Sequence, residues 1–335
     1  MTLAEIPRPI APAGELTGRS ILRTVGVLAG VLVVVAALCA SIGQQGWMWP
    51  WASPARLARV AAAMTVGAAL AVAGATLQSL LRNGLADPYV LGVSGGAGVG
   101  VLAGIVIFGG ATWAGRTGAA AIGAGATMGI VYLIAQRRGR LDAYSLLLSG
   151  VIINTLAAAI MATLYLFAQP GELKLYINWS LGSIPDAPAG DLLGVCAAAT
   201  GAGWLWLAAR GQAFNVQSLG DDVATSSGIH LTSLRLQTFC LAGVLTAAAV
   251  ALAGPVGFVG LIVPHVCRMI LGADHRRLIL AAGFIGAIFL VAADTFCRST
   301  VLQFGQELPV GVVTSFVGAP FFLFLLRRRL REGYL

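Results

Sequence analysis

About ten apolar stretches, each near the twenty residues that a helix needs to cross the hydrocarbon of a bilayer, follow one another along this chain. They lie at 24–42, 57–81, 91–109, 117–136, 144–168, 189–209, 234–253, 256–272, 278–297 and 308–326. Lipid offers no partner to a bare backbone N–H or C=O, so such segments must satisfy their hydrogen bonds internally, as helices. Composition excludes a soluble domain: 58% of the 335 residues are hydrophobic and only 10% are charged, where a soluble domain carries about a quarter. The expected fold class is an all-α polytopic membrane protein of about ten spans. Residues 1–23 read as a polar tail, too long to be the n-region of a cleaved signal, and 24–335 as a single membrane domain.

Arginines orient the bundle. With the N-terminus inside, only Arg56, Arg59, Arg116, Lys174 and Arg298 fall on the outer side, which leaves 16 of the 21 basic residues in inner loops, as the positive-inside bias requires. Both ends are then cytoplasmic. Trp47, Trp49, Trp51, Trp113 and Trp179 are expected at the outer interface, where an indole keeps its N–H wet. Arg56 and Arg59 stand one helical turn apart at the outer mouth of the second span, and Arg298 closes the ninth; cations held there against the bias point to an acidic partner or substrate.

The one long polar interval inside the apolar chain, 209–233, reads as a docking element. Asn215 can cap a short helix that Gly220 ends, and Asp221 a second that Gly228 ends, because Asn and Asp accept from free helix N–H groups and glycine tolerates a left-handed exit. In the third span Gly92, Gly96, Gly100 and Gly104 recur every fourth residue, the small-xxx-small pattern of close helix contact in lipid. Ala69-Leu-Ala-Val-Ala-Gly74 is echoed by Ala249-Val-Ala-Leu-Ala-Gly254 five spans later, so the copies run in opposite directions, the parity of an inverted repeat. Each echo is followed by a passage broken by glycine and proline. Pro264 kinks the second, and Asn83 and Asp87 are placed to cap the third span after the first.

Those passages carry a resemblance. Arg56-Leu-Ala-Arg59, Leu81-Arg-Asn-Gly-Leu-Ala-Asp-Pro88 with Leu91-Gly-Val-Ser-Gly-Gly96, Gly257-Phe-Val-Gly-Leu-Ile-Val-Pro-His265 with Arg268, Ala293-Asp294 with Arg298, and Glu307-Leu-Pro-Val-Gly-Val-Val313 with Gly318-Ala-Pro-Phe-Phe322 closely resemble the permease subunits of type II ABC importers for iron-siderophores, haem and cobalamin. The likeness runs from about residue 20 to the end; Gly84 departs from it, standing where those permeases usually have proline. It implies a bacterial inner-membrane homodimer with a central pathway flanked by the fifth, eighth and tenth spans. It also implies a coupling loop between the sixth and seventh spans for two ATP-binding subunits, and outer arginines that engage an extracytoplasmic substrate-binding protein. Carried onto this chain, the coupling residues are Asn215, Leu219, Gly220, Asp221, Ala224 and Gly228, within a 210–233 loop, and the binding-protein contacts are Arg56, Arg59 and Arg298. Lipid is the remaining partner, and nucleic acid is not one.

The chain is not expected to be an enzyme. A P-loop needs a lysine after its glycines to reach the phosphates, and the single lysine, Lys174, lies in an outer loop. ATP and magnesium therefore belong on a partner subunit, and no cofactor or metal is expected on this one. Gly92-Val-Ser94-Gly95 has the form of an intramembrane serine-protease site, but a serine within a glycine ladder is explained by packing. An ion-coupled secondary transporter would need unpaired carboxylates at depth; Asp294 is the nearest, and Arg298 is spaced to neutralise it at i,i+4. His230 and His275 read as loop residues, His265 as a histidine bonded within a helix break, and the five cysteines as small apolar side chains. Gln78, Asn154 and Thr155 either line a cavity or bond between helices. In the fifth and tenth spans Ser149, Asn154, Thr155, Thr314 and Ser315 are the polar points of an otherwise small, apolar wall, which suits a bulky cargo whose metal is already wrapped by its own ligand.

Overall fold

A computed structural model describes residues 18–43, 46–47, 49, 53–108, 113–137, 140–301 and 305–331. The tail up to residue 17, Trp51, and the side chains of Trp47 and Trp113 lie outside the described residues. Thirteen α-helices are described: α1 Gly18–Ser41, α2 Pro54–Leu80, α3 Val93–Phe108, α4 Trp113–Ala135, α5 Ala143–Tyr165, α6 Pro170–Ser180, α7 Gly190–Ala209, α8 Gly211–Ser218, α9 Asp221–Ser226, α10 Leu231–Ala253, α11 Val259–Leu271, α12 His275–Ser299 and α13 Val310–Arg331. Seven of these (α1, α2, α4, α5, α7, α10 and α12) are long and apolar enough to span a membrane; the shorter apolar α3, α11 and α13 bring the number to the expected ten. Two antiparallel ladders of two residues a strand, Ile42–Gly43 with Gly46–Trp47 and Gln136–Arg137 with Arg140–Leu141, close two of the links.

The bundle is built around α2. Ser53 caps it by accepting from Arg56 N, Pro54 supplies the pre-set first turn, and from Thr65 to Leu80 every residue is buried. Its sequence is largely Ala, Gly and Thr, so neighbours can approach on every side. A Cβ on Gly67 would lie 2.2 Å from Gly286 O in α12, and one on Gly74 would lie 1.9 Å from Gly260 O in α11. These are backbone-to-backbone crossings that only glycine allows. Two glycines of the predicted ladder do the same between α3 and α4, Gly96 against Gly123 O and Gly100 against Ala119 O, whereas a Cβ on Gly104 would meet only the Ala119 side chain, at 3.2 Å. Gly92 is not part of that helix; it ends a 3-10 turn, Pro88–Leu91, in the left-handed region at φ +82°.

Both broken passages are present and they touch. After α2 comes the 3-10 turn; after α10, Gly254 and Phe258, both at φ +68°, lead into α11. The Tyr89 hydroxyl accepts from Val256 N at 2.9 Å and donates to Val256 O at 3.2 Å. Asp87 and Asn83 differ from their expected role at α3. Asp87 caps the 3-10 turn by accepting from Tyr89 N, and Asn83 accepts from Leu85 N, because the chain must turn twice before α3 begins.

Helix α6 was not among the ten expected stretches. Its signals are Pro170 at the first turn and a Glu172 side chain that accepts from Gln169 N at 2.8 Å. It buries Tyr176 and Trp179 against each other, so Trp179 is a packing residue and not an interfacial one, whereas Trp49 is exposed. Cys39, Cys196, Cys267 and Cys297 are buried as expected; Cys240 is exposed. Replacing Gly74 with valine should lower the thermal unfolding midpoint of the purified protein, at an overpacking cost of about 1–3 kcal/mol or more. Gly125→Ala in α4, where a Cβ meets nothing within 4 Å, should leave the midpoint unchanged or raise it.

Candidate functional site

Polar chemistry gathers at the two opposite ends of the bundle. At one end α8 and α9 form the loop element that the polar interval foretold, with a different internal logic. Gly220 separates the helices at φ +137° and ψ 156°, a region open in practice only to glycine. Gly228, at φ +80°, ends α9: its N–H reaches Thr225 O while Ile229 N reaches Ala224 O, the Schellman arrangement. Asn215 caps a helix other than its own. It sits inside α8, and its Oδ1 accepts from His275 N at 2.8 Å while its Nδ2 donates to Asp274 Oδ1 at 2.9 Å, so it closes the start of α12. Asp221 is the first residue of α9 and serves as an ion-pair centre, held by Arg82 and by Arg235 at 2.7 Å. Arg82 also donates to Gln217 O at 2.8 Å. Phe214 and Ala224 are fully buried beneath the pair, whereas Leu219 is 72% exposed and Val223 projects beside it. The element is therefore anchored underneath and apolar on top.

Charge stiffens this end. Partial burial acts to raise the Asp274 carboxyl, yet hydrogen bonds from Arg276 and Asn215 outweigh it and hold the group down at about 2. Burial likewise acts to raise Asp221, and the Arg235 and Arg82 guanidiniums bring it below the usual carboxylate range. Both pairs contribute stability above an ordinary carboxylate pKa, and this is lost as pH falls through the depressed values. His275 is not a loop residue: it is the buried first residue of α12, its Nδ1 2.9 Å from Asn215 Oδ1. It shares a cavity of about 460 Å³ with Gln78, Arg82, His265 and Arg268. Gln78 both lines that cavity and bonds between helices, donating to Gly260 O and accepting from Arg268.

At the other end the three arginines expected on an exposed rim are arranged differently. Arg59 and Arg298 are each 3% exposed, because both are used internally; Arg56 alone is half-exposed. Asp294, 1% exposed, takes Arg59 at 2.8 Å and Arg298 at 3.1 Å, so the predicted i,i+4 pair exists within a larger group. Arg59 also pairs with Asp186, in the link between α6 and α7, and with Glu307, in the link before α13. Arg298 donates to Ile42 O at 2.9 Å and Cys39 O at 3.2 Å, satisfying carbonyls at the end of α1. Neither Asp186 nor Glu307 was expected as a partner of Arg59, although Glu307 opens one of the motifs quoted above: both lie far from Arg59 along the chain, and no periodicity links them.

Beside this cluster Ser180, Leu181, Pro255, Gly257, Gly311, Val312, Ser315, Phe316, Ala319 and Pro320 line an open, mostly apolar cavity of about 520 Å³. Of the five polar points expected along a pathway, only Ser315 lines it. Thr314 is fully buried and donates to Gly311 O, Ser149 is buried against Leu146 O, and Asn154 donates to Tyr89 O at 3.2 Å. Thr155 is exposed and donates to Val151 O in its own helix. Inside a helix a hydroxyl readily turns back onto the preceding turn, as those of Ser149, Thr155 and Thr314 do here.

The sequence profile of the FecCD transport family matches residues 33–328. The chain is 40% identical over 275 residues to a cobalamin import system permease protein of Halobacterium salinarum, covering 82% of this chain and 72% of that one. It is 38% identical over 289 residues to a hemin transport system permease protein of Yersinia pestis, covering 84% of each. Among solved structures, a chain described as a metal-chelate type ABC transporter in an inward-facing conformation superposes with a TM-score of 0.81 at 28% identity, over 92% of this chain and 99% of that one.

Removing the Asn215 side chain should loosen the joint between α8 and α12. Asn215→Ala is expected to cost about 1 kcal/mol, the usual worth of a cap, and to speed hydrogen exchange at the first amides of α12 in the purified protein. Exchange no faster than in the parent would show that Asp274 alone holds that helix start.

Proposed function

Because this chain belongs to the FecCD transport family, we propose that it is the permease subunit of an ABC importer that carries a bulky metal chelate, such as an iron-siderophore, haem or cobalamin, across the inner membrane. In this reading two copies form a homodimer around the pathway, with both termini cytoplasmic. Two ATP-binding subunits bind ATP and magnesium and dock on α8 and α9 through Leu219, Gly220 and Val223. An extracytoplasmic binding protein docks at the opposite end, where Arg56 is the accessible cation.

The observation that carries the reading is the α8–α9 element: two short helices with an apolar tip over a charge-locked base, at the end of the bundle where Arg82, Arg235 and Arg276 gather. An exposed leucine on a rigid platform is what a partner's groove can hold, since preorganisation lowers the cost of association. Ion-coupled transport would need an unpaired carboxylate at depth, and Asp294 is paired with both Arg59 and Arg298. Bulky cargo is favoured by the Ser315 cavity, whose lining has only Ser180 and Ser315 as polar side chains and so would not hold a cargo tightly.

Gly220→Val should force φ +137° on a β-branched residue and distort the platform. We expect uptake in reconstituted vesicles to fall by about tenfold or more, with the permease still assembled, as strain of this class implies; uptake equal to the parent would remove the coupling role from this turn. The cargo class is tested by supplying metal free and pre-chelated to the same vesicles. Uptake of the chelate with rejection of the free ion is expected, and the reverse outcome would overturn the chelate reading. At the other end Arg56→Glu should weaken capture of the binding protein, most clearly at low salt. Reversing Arg59 or Arg298 would also strand Asp294, and so would not test docking alone.

A further inference from the structure

We propose that Arg59 is a latch that holds together the two walls of the Ser315 cavity through Asp186 and Glu307, and that an acidic side chain of a docking protein releases it by displacing those carboxylates. The second half of this proposal rests on the binding-protein reading above; the first half does not.

One guanidinium serves three segments. Arg59 Nε and Nη2 hold Asp294 of α12, Nη1 donates to Asp186 and Glu307, and Nη2 also donates to Glu307. The three acceptors differ in how firmly they are bound. Asp294 is 1% exposed and cannot be given up without leaving a buried charge unpaired. Asp186 is 73% exposed and Glu307 27% exposed, so water can replace either at little cost. Arg59 is thus anchored on the α2–α12 pair by one carboxylate and grips two others that can be exchanged.

Both exchangeable carboxylates belong to the chain segments that wall the cavity. Ser180 and Leu181 come just before Asp186, and Gly311 and Val312 just after Glu307. The segments are also joined directly, Gly311 N donating to Gly182 O at 3.2 Å, while Ser183 N donates to Ala253 O at 2.8 Å. Arg59 already donates to three carboxylates, and its Nε, Nη1 and Nη2 are all engaged. An added carboxylate therefore competes for Arg59 and does not simply join the cluster. Arg56 lies one turn further out on the same helix and is partly exposed, which makes it a first point of capture for an incoming acid.

The test uses the full chain reconstituted with its ATP-binding partner and a Ser315→Cys reporter, labelled from outside with a hydrophilic maleimide; labelling of the native cysteines in the parent is subtracted. Asp186→Asn combined with Glu307→Gln should speed reporter labelling about three- to tenfold with no binding protein present, as loss of weak, partly exposed pairs implies. Asp191→Asn, a charge change in the first turn of α7 outside the cluster, should leave the rate unchanged. An unchanged rate in the double variant, with the thermal midpoint of the parent, overturns the latch while leaving the importer reading intact. Poly-L-glutamate should then accelerate labelling of the parent reporter but not of the double variant. Failure to accelerate the parent, or equal acceleration of both, overturns release by an acid.

Discussion

Glycine crossings on α2 are the contact on which the remaining architecture depends. Helices in lipid gain little from burying apolar surface against one another, so their association rests on van der Waals contact at close range. Gly67 against Gly286 and Gly74 against Gly260 bring α12 and α11 to backbone distance on α2. The irregular passages after α2 and α10 can exist only because they lie in that protein-lined interior, where Tyr89, Val256, Gln78 and Gly260 satisfy one another's polar groups. A bundle packed less closely would leave those turns without partners.

From that centre the two ends diverge in how they use charge. At the α8–α9 end, Asp221 and Asp274 are half-exposed and each is shared by arginines or by Asn215, which stiffens a surface element while leaving its apolar tip free. At the opposite end the central pair is buried, and its cost is met by the number of hydrogen bonds on each group. Arg59 is committed to Asp294 and is 3% exposed. It is turned inward, and Arg56, one turn further out on the same helix, is partly exposed.

That difference marks where reading the residues alone stops. An arginine at the mouth of a predicted span can point to solvent, to headgroups or inward, and spacing does not choose among them. The acceptors decide, and Asp186 and Glu307 are brought to Arg59 by helices that fold far from it in the chain. Asn215 shows the same limit on a smaller scale: its type and position read as a local cap, while its acceptor atom serves the start of α12, sixty residues away.

What the sequence by itself determined is everything that depends on local composition and short period: the membrane setting, the ten apolar segments, the glycine faces, the proline-broken passages, the turns at Gly220 and Gly228, and the family resemblance. Each follows from properties that act within a few residues, such as backbone hydrogen bonding in lipid, the absence of a Cβ, or a missing N–H. Only the tertiary structure decided which polar side chains are used up inside the bundle. It placed Ser315 alone of five candidates on the cavity, made α6 a packed helix between two spans, and gathered three carboxylates on Arg59. The reason is physical: the partner of a charge or a hydroxyl is set by the three-dimensional crossing of helices, and that crossing is fixed by contacts between segments far apart in the chain, such as Gly67 with Gly286.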